Sequence, residues 1–218
     1  MGGGIVGCSV AYHLTKIGIE DVVLCERRQL TCGTTWHAAG LVGQLRGSRN
    51  MTRLAKYTAE LYTGLEQETG QATGFKQNGS ISLATTDGRF EELKRMASMA
   101  KVFDLRVDVM STEELTERLP LINTEDVLGA VHIPSDGKAN PVDVTQALAK
   151  GARTGGALIR EDCKVLAIRH DGERVTGVET DAGEITADAV VLCAGMWTRD
   201  LAASIGVNVP LHACEHFY

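Results

Sequence analysis

The chain has 218 residues, of which 44% are hydrophobic and 23% are charged, a composition typical of a globular fold. Its formal net charge is -6, and the absence of a basic stripe argues against a nucleic-acid partner. The longest apolar runs have the length of a strand and are far too short to span a bilayer. The length allows one large domain or one and a half small ones.

The six cysteines form no C-x-x-C pair, and three of them (Cys8, Cys25 and Cys193) lie inside apolar patterns. A cysteine in such a pattern usually acts as a small hydrophobic residue. We therefore expect a reducing compartment without disulfides. The histidines and cysteines form no set of metal-ligating residues, so no metal site is predicted.

The N-terminal glycines match a motif that binds phosphate. Gly2, Gly4 and Gly7 fit G-x-G-x-x-G, and residues 5–17 have apolar positions at helical spacing, with Gly18 as a stop. Such glycines let backbone N–H groups approach a diphosphate at the N-terminus of the helix. A strand normally precedes this motif, so we expect the first strand and any targeting segment to lie outside this sequence.

An acidic strand follows the predicted helix. Residues 21–26 read as a buried strand that ends in Glu26, which lies 24 residues after Gly2. That separation is roughly the one expected for a carboxylate that binds the ribose of a dinucleotide. The combination predicts a dinucleotide-binding unit; a glycine-rich turn without a ligand is the alternative.

The remaining pattern predicts a mixture of elements. Capping signals are clear at Ser111 with Glu114, and at Asn140 with Pro141. After the segment 33–40, a polar loop is predicted through Asn50, and the helix that follows would carry Leu54, Tyr57, Leu61 and Leu65 on one apolar stripe. Residues 189–193 read as a central parallel strand. Helices are predicted at 54–69, 90–103, 111–120, 141–154 and 198–205, and strands at 79–85, 127–133, 157–160, 163–170, 175–180, 184–187 and 189–193.

This order favours a flavin-binding domain over a nicotinamide-binding one, in which helices and strands would alternate more regularly. We predict an α/β (α+β mixture) fold: a Rossmann-like domain of the glutathione-reductase type with part of a mixed-sheet substrate domain inserted. Residues 1–75 and 135–211 would form the FAD-binding domain without its first strand. Residues 76–134 and 212–218 would form part of the substrate-binding sheet.

The segment 33–40 places His37 between Trp36 and two alanines. From the residues alone, a hydrogen-bonded core or loop histidine is the simpler interpretation. A resemblance to a known family indicates a second interpretation of this segment. Over essentially its whole length, the chain resembles the D-amino-acid-oxidase-like family of FAD-dependent oxidoreductases, in particular its sarcosine and dimethylglycine dehydrogenase branch. The resemblance rests on residues 2–7, 30–40, 79–81, 136–137 with 141, 147–149 with 151–153, and 194–197, of which T-W-H-A-A-G is the specific part.

The resemblance implies roles for particular residues. It implies that His37 is bonded covalently to the 8α carbon of FAD. It also implies that His216, in an H-x-Y pattern with Tyr218, takes part in substrate binding or amine deprotonation; an ordinary surface histidine is the alternative. The cofactor-binding residues would be Gly2, Gly4, Gly7, Glu26, Arg27, Thr34, Thr35, His37, Val165, Ala194, Gly195 and Trp197.

The resemblance further implies that the intact protein oxidises the N-methyl group of sarcosine or dimethylglycine by hydride transfer to the flavin. The partner would be a small-molecule amine, and tetrahydrofolate could accept the product in a further domain. Two alternatives remain: an FAD-binding fragment without activity, at best weakly folded alone, and a relative that oxidises another amino acid or amine. The expected location is a bacterial cytoplasm, with the mitochondrial matrix as the alternative.

Overall fold

A computed structural model describes residues 1–215. Within this range lie six α-helices: Ile5–Lys16 (α1), Arg49–Thr69 (α2), Asp87–Ala100 (α3), Thr112–Arg118 (α4), Pro141–Thr154 (α5) and Thr198–Ala203 (α6). The same range contains ten strands: Val23–Cys25 (β1), Leu41–Val42 (β2), Ser80–Ala84 (β3), Asp108–Met110 (β4), Gly129–Ile133 (β5), Gly137–Lys138 (β6), Leu158–Arg160 (β7), Val165–His170 (β8), Val175–Thr180 (β9) and Gly183–Thr186 (β10). This mixture confirms the predicted α/β class. None of the helices in residues 1–215 combines the length and apolar character needed to cross a membrane.

The chain divides into two compact units. The first consists of Met1–Ala39, Leu65–Thr73 and the chain from Asn140 onward, and the second of Gly40–Gly64 and Gly74–Ala139. The assignment of cofactor binding and substrate binding to separate parts of the chain stays a prediction.

Parallel pairing organises the first unit around the glycine motif. Strand β1 pairs in parallel with β7, and the N–H of Gly2 donates to the carbonyl of Cys25 at 2.9 Å. On the other side of this turn, the Met1 ammonium donates to the carbonyl of Val191, and the N–H of Cys193 donates to the carbonyl of Met1, both at 2.8 Å. The glycine turn therefore lies between β1 and the segment 191–193.

The prediction of a strand at 189–193 is wrong, because the segment has no regular strand structure. Its direction and two hydrogen bonds to Met1 are those of a parallel neighbour. A ladder requires several consecutive residue pairs, and pairing with a single residue does not form one.

Helices α1 and α5 pack closely in the first unit because small residues line their contact. At Gly151 of α5, an added Cβ would lie 2.7 Å from the ring of Tyr12 on α1, so glycine allows this approach. The predicted cap is confirmed: the Asn140 side chain accepts the N–H groups of Val142 and Asp143, with Pro141 as the first helical residue. The buried residues at this helix pair include Cys8, Ala11, Tyr12, Val144, Ala147, Leu148 and Ala152.

An antiparallel meander follows in the order β8–β9–β10. It matches the strands expected at 163–170, 175–180 and 184–187 within two residues at each end. In β9, the backbone of Gly177 has a φ of +149°, and a side chain there would overlap the carbonyl of Ile185 on β10. Glycine therefore permits the close pairing of these two strands.

The second unit contains a three-stranded antiparallel sheet in the order β3–β5–β4. All five residues of β5 are buried, as expected for its central position. Helix α3 packs on this sheet, and the predicted capping box is confirmed at Ser111 and Glu114 before α4. A core of apolar residues lies between them: Leu45, Ala84, Leu93, Ala100, Leu105, Val131 and Ile133.

Helix α2 differs from its prediction in both start and buried face. It begins at Arg49, although a polar loop was expected through residue 50. The Thr52 hydroxyl accepts the N–H of Arg46 and donates to its carbonyl, each at 3.1 Å, which fixes the first turn. The expected stripe is wrong at Leu54 and Tyr57, which are exposed. The buried positions are Thr52, Ala59 and Leu65.

Candidate cofactor cleft

A cleft with a volume of about 590 Å³ opens at the N-terminus of α1 within the first unit. Its walls come from the glycine turn, the end of β1, the loop 32–35 and the segment 192–198, with residues 163–165 at one side. A volume of this size is typical of sites for small molecules and cofactors.

The glycine turn forms a cradle that side chains would fill. Gly2 has a φ of +101°, a left-handed conformation, and a Cβ there would overlap the carbonyl of Cys193. A Cβ on Gly7 would overlap the carbonyl oxygen of Gly2, so α1 packs directly on the turn. The first N–H groups of a helix lack intrahelical acceptors and carry partial positive charge, so this position favours an anion.

Glu26 is fixed at the carboxyl end of β1, where it is only 8% exposed. Its Oε2 accepts the N–H of Gly3 at 2.6 Å, and its Oε1 accepts the N–H of Arg28 at 3.1 Å. The thiol of Cys32 donates to the same Oε1 at 3.5 Å. These bonds hold the carboxylate in one orientation beside the glycine turn, and Oε2, which accepts a single bond, keeps capacity for a further hydroxyl donor.

The loop that carries His37 is tied to the glycine motif. The N–H of Thr31 donates to the carbonyl of Gly3 at 3.0 Å, and the N–H of Ile5 donates to the hydroxyl of Thr35 at 3.1 Å. A short 3-10 helix, Thr35–His37, follows, and it ends with the His37 imidazole exposed. The rings of Trp36 and His37 lie 3.7 Å apart between centroids, so the indole supports one face of the imidazole.

The cleft brings together most of the predicted cofactor residues. Gly7 lies behind the turn, against Gly2. His37 does not line the cleft, although Thr35 on the same short helix does. His216 lies outside the described residues. The predicted residues that line the cleft are Gly2, Gly4, Glu26, Arg27, Thr34, Thr35, Val165, Ala194, Gly195 and Trp197.

Several lining residues were not predicted. Lys164 adds a positive charge next to Val165, and Cys32 and Met196 add soft side chains. His212 also lines the cleft, although it was not among the predicted cofactor residues. Lys164 and Met196 are sequence neighbours of the predicted residues Val165, Gly195 and Trp197, and this adjacency is the signal that could have identified them. Nothing in the local pattern marks the thiol of Cys32 as a partner of Glu26.

Three thiols of the first unit have a raised pKa, and two of them, Cys25 and Cys193, line the cleft. Burial raises the pKa of Cys8 to about 12 and that of Cys25 to about 11, and it also raises the pKa of Cys193. These thiols are therefore neutral at physiological pH. Among residues 1–215, no three His, Cys, Asp or Glu side chains are placed to hold a metal ion together.

A glycine turn at a helix N-terminus, beside a buried acid at the end of the neighbouring parallel strand, defines a dinucleotide-binding unit. The sequence matches the family described as "DAO: FAD dependent oxidoreductase" over residues 1–218. The chain belongs to this family. The cradle, the fixed carboxylate and the cleft volume fit the adenosine diphosphate half of FAD.

Three curated relatives align with the whole chain. It is 44% identical to 4-methylaminobutanoate oxidase (formaldehyde-forming) of Paenarthrobacter nicotinovorans, covering 26% of that protein. It is 43% identical to the mitochondrial pyruvate dehydrogenase phosphatase regulatory subunit of Mus musculus, covering 25% of it. It is 41% identical to the mitochondrial sarcosine dehydrogenase of Homo sapiens, covering 24% of it. These matches confirm the predicted family and branch.

The fold is also similar to that of a solved enzyme. The L-proline dehydrogenase from P. horikoshii superposes with a TM-score of 0.88 at 30% identity, over 94% of this chain and 54% of that one. The chain thus spans about a quarter of the length of the curated relatives and about half of this structure.

Proposed function

We propose that the chain is the FAD-binding part of an enzyme that oxidises N-methylated amino acids, with part of its substrate-binding sheet. The observation that carries the proposal is the cleft at α1 with Glu26 fixed beside it. Two relatives named for N-methylated substrates, the 4-methylaminobutanoate oxidase and the sarcosine dehydrogenase, support the substrate class. Bound FAD would accept the two electrons and the hydrogen removed from the substrate.

The lining residues have distinct tasks in this proposal. The N–H groups at the start of α1 bind the diphosphate, and the glycines keep the approach open. The Glu26 carboxylate accepts a ribose hydroxyl at Oε2 while its bonds to Gly3 and Arg28 keep it in place. Thr34, Thr35, Val165, Ala194 and Gly195 form the walls that exclude water from the cofactor. A site fixed by its own hydrogen bonds needs little reorganisation when the cofactor binds.

His37 is the proposed site of the covalent bond to FAD. Nucleophilic attack needs a neutral imidazole with a free ring nitrogen, and the exposed ring of His37 is accessible to a ligand. Trp36 stacks on this ring, which restricts its orientation. Hydrogen bonds to Gly3 and Ile5 hold the loop that carries His37 beside the glycine turn, where the cofactor is proposed to bind.

Acid precipitation of the purified full-length protein tests the bond. Protein with covalent flavin should keep its flavin fluorescence in the precipitate, and His37→Ala should lose it. His170→Ala is the matched control, because His170 is exposed and lies in the meander away from the cleft lining. His212→Ala tests the histidine that lines the cleft itself. Fluorescence that survives in His37→Ala but is lost in His212→Ala would assign the bond to His212.

His216 is the proposed residue for substrate binding or amine deprotonation. An amine must be uncharged before a hydride can leave, and a histidine titrates near neutral pH, so it suits this deprotonation. A His216→Asn variant should lower the rate of flavin reduction and remove a step from its pH profile. An unchanged profile would exclude the role.

The substrate is tested by anaerobic flavin bleaching with a panel of sarcosine, dimethylglycine, 4-methylaminobutanoate, glycine and proline. The proposal expects the N-methylated compounds to bleach the flavin fastest. Faster bleaching with glycine or proline would instead identify a relative that oxidises another amino acid. Transfer of the oxidised methyl group to tetrahydrofolate is tested by including that acceptor and measuring formaldehyde, which should decrease.

An FAD-binding protein without activity is the second candidate. The similarity to a phosphatase regulatory subunit favours it, because that relative is named for regulation and is as similar as the named enzymes. Flavin that binds but stays oxidised with every amine of the panel would support this candidate. Relatives from bacteria and from mitochondria leave the bacterial cytoplasm and the mitochondrial matrix both as proposals.

A further inference from the structure

Two side chains of the cleft lining, Arg27 and Trp197, contact each other. The guanidinium carbon of Arg27 lies 4.2 Å from the centroid of the Trp197 ring. This distance is well within the range of a cation–π interaction. The same indole also lies against Gly33, where an added Cβ would be 3.5 Å from Cζ3. The contact therefore joins three of the segments that form the cleft.

The positions of the two residues explain what the contact spans. Arg27 follows β1, which lies on one side of the glycine turn through the bond from Gly2 to Cys25. Trp197 follows the segment 191–193, which lies on the other side of the turn through its bonds to Met1. The pair therefore connects the two chain segments that flank the turn.

We propose that Arg27 and Trp197 form a clamp that retains FAD in the cleft, an inference that rests on the proposed function. The planar guanidinium can stack on the indole and still direct N–H groups toward a phosphate, which a lysine ammonium cannot do in the same geometry. Both residues act by holding the cleft closed around the cofactor, and they take no part in the oxidation itself. Loss of either should release the cofactor faster.

The design separates the clamp from simple charge attraction. Arg27 also attracts the diphosphate by its charge, whereas Trp197 can act only through the contact. If the contact between the two side chains is what retains FAD, replacing Trp197 should not raise the rate of FAD release further once Arg27 has been replaced. The matched control is Arg28→Gln, which removes the same charge one position away, from a side chain that does not line the cleft.

The experiment measures the rate of FAD release in full-length protein with His37→Ala, so that the flavin is free to dissociate. Flavin fluorescence is followed after rapid dilution for Arg27→Gln, Trp197→Leu, Trp197→Phe and the double variant Arg27→Gln with Trp197→Leu. We expect Trp197→Leu to raise the rate roughly 3- to 10-fold. Trp197→Phe should raise it less, because an aromatic face remains. The double variant should match Arg27→Gln alone, and Arg28→Gln should change the rate less than about 2-fold.

The clamp would be overturned if Trp197→Leu released FAD at the same rate as the parent. It would also be overturned if the fold-increases of the two single variants multiplied in the double variant. Binding of FAD by the parent in that case leaves the proposed function intact. A parent that binds no FAD, with or without His37, overturns both. If His37→Ala alone prevents binding, the same variants are compared in the His37 protein for the rate of covalent attachment. The clamp then predicts slower covalent attachment in Arg27→Gln and in Trp197→Leu. The double variant should be no slower than Arg27→Gln alone.

Discussion

Replacing Gly7 with alanine tests how tightly α1 packs on the glycine turn. A Cβ at this position would overlap the backbone carbonyl of Gly2 and lie 3.4 Å from the Cβ of Cys193. The Gly2 oxygen belongs to the backbone, so no change of side-chain rotamer can relieve the overlap. The helix and the turn must separate, and the separation moves the N–H groups that are proposed to bind the diphosphate.

Two opposing effects determine how much Gly7→Ala changes the free energy of unfolding. Alanine in place of a helical glycine stabilises by up to about 1 kcal/mol through backbone entropy and propensity. Overpacking a close contact costs about 1–3 kcal/mol, and an overlap with fixed backbone lies at the upper end. We therefore expect Gly7→Ala to lower the free energy of unfolding by about 1–2 kcal/mol and to weaken FAD binding at least about 10-fold.

Gly64→Ala is the matched control, because Gly64 lies within α2 with nothing within 4 Å of an added Cβ. It should raise the free energy of unfolding by about 0.5–1 kcal/mol without affecting FAD binding. Urea denaturation followed by circular dichroism measures both stabilities, and flavin fluorescence measures binding. Gly7→Ala protein that is stabilised as much as Gly64→Ala, with unchanged affinity for FAD, would refute the close packing.

Three further predictions concern other contacts. The Lys16 ammonium and the Tyr12 hydroxyl lower the pKa of Glu68. The ionised Glu68 carboxylate therefore stabilises the fold above the ordinary pKa of 4.5, and this stabilisation is lost as the pH falls below that value. Glu68→Gln should flatten the acid side of a profile of stability against pH. Asp136→Ala should lower the free energy of unfolding by about 2–3 kcal/mol in urea denaturation, because the buried carboxylate accepts the Gln44 N–H at 2.8 Å and the Ser80 hydroxyl at 2.6 Å; a loss below about 0.5 kcal/mol would contradict this. At pH 8, mass spectrometry after iodoacetamide should find exposed Cys214 labelled and Cys8 and Cys25 labelled only after unfolding, since burial raises the pKa of both thiols; rapid native labelling of either would contradict their burial.

The fold could be predicted where local chemistry decides the structure. The glycine motif, the caps at Ser111 and Asn140, and the alternation in the meander all gave elements that the structure contains. Prediction failed where distant residues decide. The apolar run 189–193 has the composition of a central strand, but strand structure depends on the partners that pair with it. The buried face of α2 likewise depends on contacts that periodicity does not reveal.

The candidate site was predictable in position more than in detail. The G-x-G-x-x-G motif and the acid Glu26 located the cleft, because their spacing follows from the parallel arrangement of strand, helix and strand. The contact between Arg27 and Trp197 joins residues 170 positions apart, and no local pattern contains it. The same is true of the bond from Cys32 to Glu26, which depends on how the loop folds back over β1.

The most direct test of the central claim is a crystal structure of the full-length protein with FAD. The diphosphate should lie at the N-terminus of α1 over the glycine turn, with a ribose hydroxyl within hydrogen-bond distance of Glu26. Density for FAD at any other place in the molecule, or a ribose that does not contact Glu26, would contradict it.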